Sequence, residues 1–326
     1  MRRRTILAAA LAAPAILRAG RAAAGIPLVV AEPLHSTGYL PVYIAARTGI
    51  FNAHGLDVKI VTLDSNGAAH TNAVLSGQAF AFIGGPEHCA FAKAKGAELR
   101  SICNMVDRGN NYFMARPGLP PGDDLGAFLK GRRIATGFFG GTPNSITRYV
   151  IIKKAGLALS DVTLVESTAA GDLAAVRSGQ AEIGVGTEPV VTQGIREKIW
   201  SEPFYNVPKM LGPYAYSTLN IRLESLQNDP ATVKAFVDSV LEGLRYTHEH
   251  PDGAMQIAKA EFPTMPEADM RATMDRSYAD EIWSRDGAIS HQSWDTAKDV
   301  VMTAGLLKQD IAYDAIIDTR FVSKSA

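Results

Sequence analysis

The sequence holds two cysteines and three tryptophans, has no excess of either charge, and shows no long uncharged apolar stretch after residue 24. Each shortage removes a class of protein. Two thiols, Cys89 and Cys103, cannot build a disulfide framework. They either form a single bridge or lie as two buried thiols in adjacent elements, and spacing alone does not choose. After residue 24 no apolar run free of charge is long enough to form a membrane-crossing helix. The chain has 33 basic and 33 acidic residues, so it lacks the positive footprint of a nucleic-acid binder. The GxxxxGK[ST] phosphate loop, the HExxH metal helix and the GxSxG nucleophile turn are absent as well. No cofactor or metal is expected. His248-Glu249-His250 resembles a metal pair but falls where a helix should end before Pro251, a place that favours histidine by the helix dipole.

The even charge balance conceals a segment of its own. Met1–Ala24 contains Arg2, Arg3, Arg4, Arg18 and Arg21 and no acid. A basic start, an apolar stretch from Ile6 to Leu17 too short to cross a bilayer, and small residues at Ala22–Ala24 make an export leader. Arg3-Arg4-Thr5-Ile6-Leu7 fits a twin-arginine pattern, the alternative being an ordinary secretory leader. No cysteine near Ala24 offers a lipid anchor. The remaining chain carries 28 basic against 33 acidic residues.

Two stretches nearly repeat. Val74–Gly85 reads VLSGQAFAFIGG and Val176–Thr187 reads VRSGQAEIGVGT, with Ser76 and Ser178 standing 102 positions apart. In each, a helix ends at a glycine (Gly77, Gly179), the residue that best accepts the left-handed cap. A short apolar strand follows, then a glycine-containing turn into another helix. The period is too long for a solenoid. It predicts two α/β lobes of similar build with a cleft between them. Strands are expected at Pro27–Ala31, Leu56–Leu63, Ala79–Ile83, Leu99–Met105 and Tyr112–Ala115, then at Ile134–Gly137, Val162–Val165 and Glu182–Val185. Helices are expected at Pro41–Thr48, Asn66–Leu75, Pro86–Lys95, Ser145–Ala155 and Ala170–Arg177. The turn-rich Pro117–Gly122 is the expected crossing to the second lobe, and Tyr214–Asn220 the strand that returns. From Asp229 the chain turns helical and is expected to pack on the first lobe. The expected division is residues 25–115 with 217–326, against 116–216.

Pro41-Val42-Tyr43-Ile44-Ala45-Ala46-Arg47-Thr48-Gly49-Ile50-Phe51 followed by His54-Gly55-Leu56-Asp57-Val58 resembles the N-terminal signature of the solute-binding proteins for aliphatic sulfonates, taurine, nitrate and thiamine-pyrimidine precursors. Both Ser-Gly-Gln-Ala segments, Gly131–Ala135, Ala155–Leu157 and Asp229–Phe236 are similar to that family too, so the likeness spans Gly25–Ala326. It implies a type II periplasmic-binding-protein fold with two hinge strands. It also implies a monomer in the periplasm that closes on a small-molecule ligand and delivers it to an ABC importer permease in the inner membrane, without catalysis. A sensor presenting its closed form to a membrane kinase, and an exported enzyme, remain alternatives. The pyrimidine-synthase branch of the superfamily has a histidine near the position of Tyr39 and a cysteine-rich segment. Neither is present here, which counts against that chemistry.

Ligands of open α/β sheets sit beyond the carboxyl ends of strands, so the loops there supply the candidates: His35, Thr37, Tyr39, Asn66 and Glu87 from the first lobe, Phe139, Thr142, Asn144 and Glu188 from the second. Helix starts favour anions, and Thr142 would add a hydroxyl. Glu87 and Glu188 would suit an amine or ring N–H, and Phe139 a ring. Against these stand plain roles: helix capping for Asn66, Thr142 and Asn144, a first-turn acid for the glutamates, and lobe core for the phenylalanine.

Overall fold

Strand and helix alternate from Ile26 onward because short β-branched runs are separated by glycine-capped amphipathic segments, and the alternation builds two sheets. A computed structural model describes residues 25–63, 68–168 and 171–322. Residues 1–24, where the leader is expected, and Asn66 lie outside the described residues.

The strands are β1 (Ile26–Glu32), β2 (Leu56–Thr62), β3 (Ala81–Gly84), β4 (Leu99–Arg108), β5 (Tyr112–Ala115), β6 (Arg133–Gly137), β7 (Thr163–Ser167), β8 (Ile183–Gly186), β9 (Tyr205–Asn206) and β10 (Pro213–Arg222). One sheet has the order β2-β1-β3-β10-β4 and the other β7-β6-β8-β5-β9. The two are built alike. In each, three parallel strands are followed by one antiparallel strand, β10 against β3 and β5 against β8.

The principal helices are α1 (Leu40–Arg47), α2 (Ala69–Leu75), α3 (Glu87–Ala94), α4 (Thr142–Tyr149), α5 (Gly171–Arg177), α6 (Val190–Arg196), α7 (Pro230–Glu249), α8 (Pro251–Glu261), α9 (Glu267–Ala279) and α10 (His291–Thr303). The 102-residue offset read from Ser-Gly-Gln-Ala carries α1 onto α4, α2 onto α5 and β3 onto β8, residue for residue. Gly77 and Gly179 take φ of 79° and 75°, the left-handed caps that end α2 and α5. The amide of Ala79 then bonds the carbonyl of Ala73, as Ala181 bonds Ala175.

Three expectations change. β5 pairs with β8 and β9, not with the first sheet. The first crossing is therefore Gly109–Asn111, and the proline- and glycine-rich Pro117–Gly122 follows it as a surface turn. The first lobe's strands stop at Arg108 and resume at Pro213, so residues 112–115 belong with the second sheet and 213–216 with the first. The helix expected at Ser145–Ala155 starts earlier, at Thr142, and its last turn widens into a π-helix over Val150–Lys154. The helical tail does more than cover the first lobe. α7 and α8 pack on α1, but α9 lies against α6 and α10 against α4 as well as β10. Arg276 of α9 reaches Glu188 at 2.8 Å, Arg196 of α6 pairs with Asp269 of α9, and the Tyr112 hydroxyl donates to Asp280 at 2.8 Å.

Cys89 and Cys103 are both buried and free. His248 Nε2 contacts the Ser284 carbonyl at 3.0 Å, which gives the histidine a packing role at the end of α7.

The core of the first lobe depends on a close approach of α7 to α1. Gly243 sits under α1, where a Cβ would stand 2.2 Å from the Pro41 carbonyl oxygen. In an exposed helix, Gly→Ala gains about 1 kcal/mol from propensity. Here the backbone would have to part, at a cost of about 1–3 kcal/mol. Gly243→Ala is expected to lower the melting temperature by a few degrees in thermal unfolding; an increase would show that the contact tolerates a methyl group.

Candidate functional site

The carboxyl ends of β1, β3, β6 and β8 face one another across a cavity of about 460 Å³, and the lobes touch at its rim. Thr142 Oγ1 donates to Glu87 Oε1 at 2.7 Å, and Ser36 Oγ to the Glu188 carbonyl at 3.4 Å. Each contact joins one lobe to the other.

On the first lobe, His35 is fixed in the wall. Its Nδ1 lies 3.0 Å from Glu32 and its Nε2 3.4 Å from Glu261, while the ring rests on Tyr43 and Phe262. The bond to Glu32 raises its pKa above the ordinary value, favouring the charged ring. Tyr39 lines the floor with Tyr216 and Ser217 of β10. At the end of β3, Gly84 leaves room for two imidazoles: a Cβ there would lie 3.2 Å from His70 Nε2 and 3.3 Å from the His88 ring. The two rings meet edge-on, 4.9 Å between centroids. Burial holds both in the neutral form, His88 down to about 4 and His70 further, with the charge of His88 adding to the effect on His70. Neither nitrogen of His70 has a partner among the described residues.

On the second lobe, Asp172 enters from the first turn of α5 and lies over Gly186, where a Cβ would be 2.5 Å from Oδ2. It is buried, and Oδ2 is unpartnered among the described residues. Burial pushes its pKa up to about 7, against the smaller pull of nearby backbone amides. Ser167 Oγ and both amide atoms of Asn111, on the crossing segment, are also unpartnered. A buried polar group without a partner is costly, so several such groups lining one cavity indicate that something else completes them.

The expected site residues divide. His35, Tyr39, Thr142 and Glu188 line the cavity, though Glu188 does so through its backbone. Its carboxylate turns away to Thr192, Thr273 and Arg276. Burial raises its pKa while Arg276 and Thr192 pull it back. Glu87 is buried at the lobe contact, one oxygen on Thr142 and the other unpartnered. Thr37 is buried behind the cavity, its carbonyl taken by the Trp283 indole. Phe139 is half exposed beneath Arg148. Asn144 braces its own lobe, bonding the Gly137 carbonyl, Glu166 and Arg148. His70, His88, Asn111, Asp172, Tyr216 and Ser217 line the cavity without having been expected there. The repeat held a signal for two of them, since Asp172 stands 102 positions after His70.

Comparison with known proteins agrees with this architecture. The family model described as NMT1/THI5 like matches residues 36–254. A curated relative, "Putative binding protein YtlA" of Bacillus subtilis, is 22% identical over 303 residues, 90% of this chain and 88% of its own. The periplasmic nitrate-binding protein NrtA from Synechocystis PCC 6803 superposes with a TM-score of 0.74 at 16% identity, covering 91% of this chain and 87% of that one. The alkanesulfonate-binding protein SsuA from Xanthomonas axonopodis pv. citri, bound to MOPS, gives 0.72 at 15% identity, with 90% and 98% covered. The fold is that of the two-lobe periplasmic binding proteins.

Glu87 yields a pH prediction. Burial moves its pKa from 4.5 up to about 7, outweighing the Thr142 hydrogen bond. An acid whose pKa is raised on folding destabilises the folded state above that pKa, and the cost vanishes below the unfolded value. Glu87→Gln keeps an acceptor for Thr142 and removes the charge. It is expected to raise stability by about 1–3 kcal/mol at pH 8 and to have little effect at pH 4.5. Thermal unfolding at the two pH values measures this; equal effects at both would contradict a buried charge.

Proposed function

The chain belongs to the NMT1/THI5-like family, and from that footing we propose that it is the solute-binding protein of an ABC importer. It works in the periplasm as a monomer after export through its arginine-rich leader. Its lobes close on one small organic solute, hand it to a permease in the inner membrane and carry out no chemistry on it.

One observation carries the reading: the cavity lies between the lobes, is lined from both, and holds unpartnered polar atoms on each side. Such a site can be complete only when the lobes meet, which couples binding to closure. Its size suits a small molecule. The mixture of apolar wall (Pro33, Leu34, Val185, Val190) with a few fixed polar groups suits a specific organic solute rather than a bare inorganic ion. The named relatives are binding proteins, which supports the absence of turnover.

A thermal-shift screen of residues 25–326 against sulfonates, carboxylates, nitrate and nitrogen heterocycles tests the proposal. Solute at ~100 times its dissociation constant stabilises by about 2.7 kcal/mol, a shift of several degrees. The expected result is a shift with one chemical class and quantitative recovery of the solute unchanged. Conversion of the solute would favour an exported enzyme.

A further inference from the structure

The internal repeat places two ligand-facing groups at the same position of the two lobes. His70 stands on α2 and Asp172 on α5, the helices that the 102-residue offset superimposes. Each helix leads into the strand that ends in the paired glycine, Gly84 or Gly186, and each side chain fills the space that glycine leaves. His70 is 2% exposed and Asp172 5%, and both line the cavity. Among the described residues, Asp172 Oδ2 and both ring nitrogens of His70 have no hydrogen-bond partner.

Charge then limits what can lie between them. No lysine or arginine is among the residues lining the cavity, and the sequence has none at 64–67 or 169–170. The imidazole held toward its charged form, His35, is already matched by Glu32 and Glu261. Arg276, near Glu188, is matched by Glu188 and Glu202. The unmatched groups are instead carboxyls, Asp172 in the wall and Glu87 at the rim. A sulfonate, nitrate or carboxylate would meet these acids with no unpaired cation to offset them. A carboxylate accepts hydrogen bonds, and a neutral imidazole offers one donor and one acceptor, with no partner here to fix its tautomer.

We propose that His70 and Asp172 are the paired ligand contacts of the two lobes, and that the solute is an uncharged or cationic nitrogen compound whose N–H group donates to Asp172. The class includes amines, amidines and amino-substituted nitrogen rings. The inference rests on the solute-binding reading above and narrows it. Tyr39, Phe138 and Tyr216 on the cavity wall give a flat ring surfaces to stack on.

The test is calorimetric titration of residues 25–326, refolded from denaturant to empty the cleft. Benzamidine, benzylamine and 4-aminopyrimidine are compared with benzenesulfonate, benzoate and nitrate. At least one nitrogen probe is expected to bind and the anions are not. Asp172→Asn is expected to weaken that probe tenfold or more while melting at pH 8 no lower than the parent, because it removes a buried unpaired charge. A merely structural aspartate would show the reverse pattern. His70→Asn, on the other lobe, gives an independent reading with the same expected loss of affinity. Binding of the anions alone would overturn the inference and leave the solute-binding reading standing. Undiminished binding of the nitrogen probe to both folded variants would also overturn it. Failure of the folded parent to bind either series would overturn both readings.

Discussion

The chain passes between its two sheets twice, and neither sheet is complete without the strand that the crossing delivers. β5 closes onto β8 at the second lobe, and β10 fills the gap between β3 and β4 at the first. The two connections that carry the chain between the sheets are Gly109–Asn111 and the segment 207–212, which ends at Gly212. Gly109 fits because a Cβ there would come within 2.8 Å of Val207. Asn111 on the first crossing and Tyr216 and Ser217 on β10 line the cavity from these crossing segments.

The lobes are similar in plan and different in charge. Each ends its third parallel strand in glycine, and each uses the vacated space for a side chain from the preceding helix. The first lobe places the neutral imidazole of His70 there and the second the carboxyl of Asp172. Duplicated construction explains how a cleft can have matching walls. Divergence at single positions, rather than in the fold, gives the walls different chemistry. α9 adds an asymmetric element: though it follows the first lobe in sequence, it is ion-paired to the second through Arg276 and Asp269. The helical tail thus joins the two lobes as well as covering the first.

Much of this was legible in the sequence, for physical reasons. Helix caps need a left-handed residue, and Gly77 and Gly179 marked the repeat. Apolar runs marked the parallel strands, because strands covered on both faces are continuous in hydrophobicity. The crossing was misplaced because Pro117–Gly122 has the composition of a break, whereas the real passage needs only three residues and has no such signature. The site was harder to read. Searching the loops after strands found His35, Tyr39 and Thr142 but overlooked His70 and Asp172, which sit within helical segments and reach the cavity only because glycines at Gly84 and Gly186 let them through. Phe139 and Asn144 stand beside cavity-lining residues but are not among them; their contacts are with Arg148 and, for Asn144, also Glu166.

The central claim is that a cavity shared by two lobes closes around a solute. Small-angle X-ray scattering of residues 25–326, recorded first with the cleft emptied and then with a solute at saturation, tests it most directly. The account predicts a smaller radius of gyration in the saturated sample, with the scattering profile of the closed form. Identical profiles in the two states, with binding verified in the same samples, would contradict it.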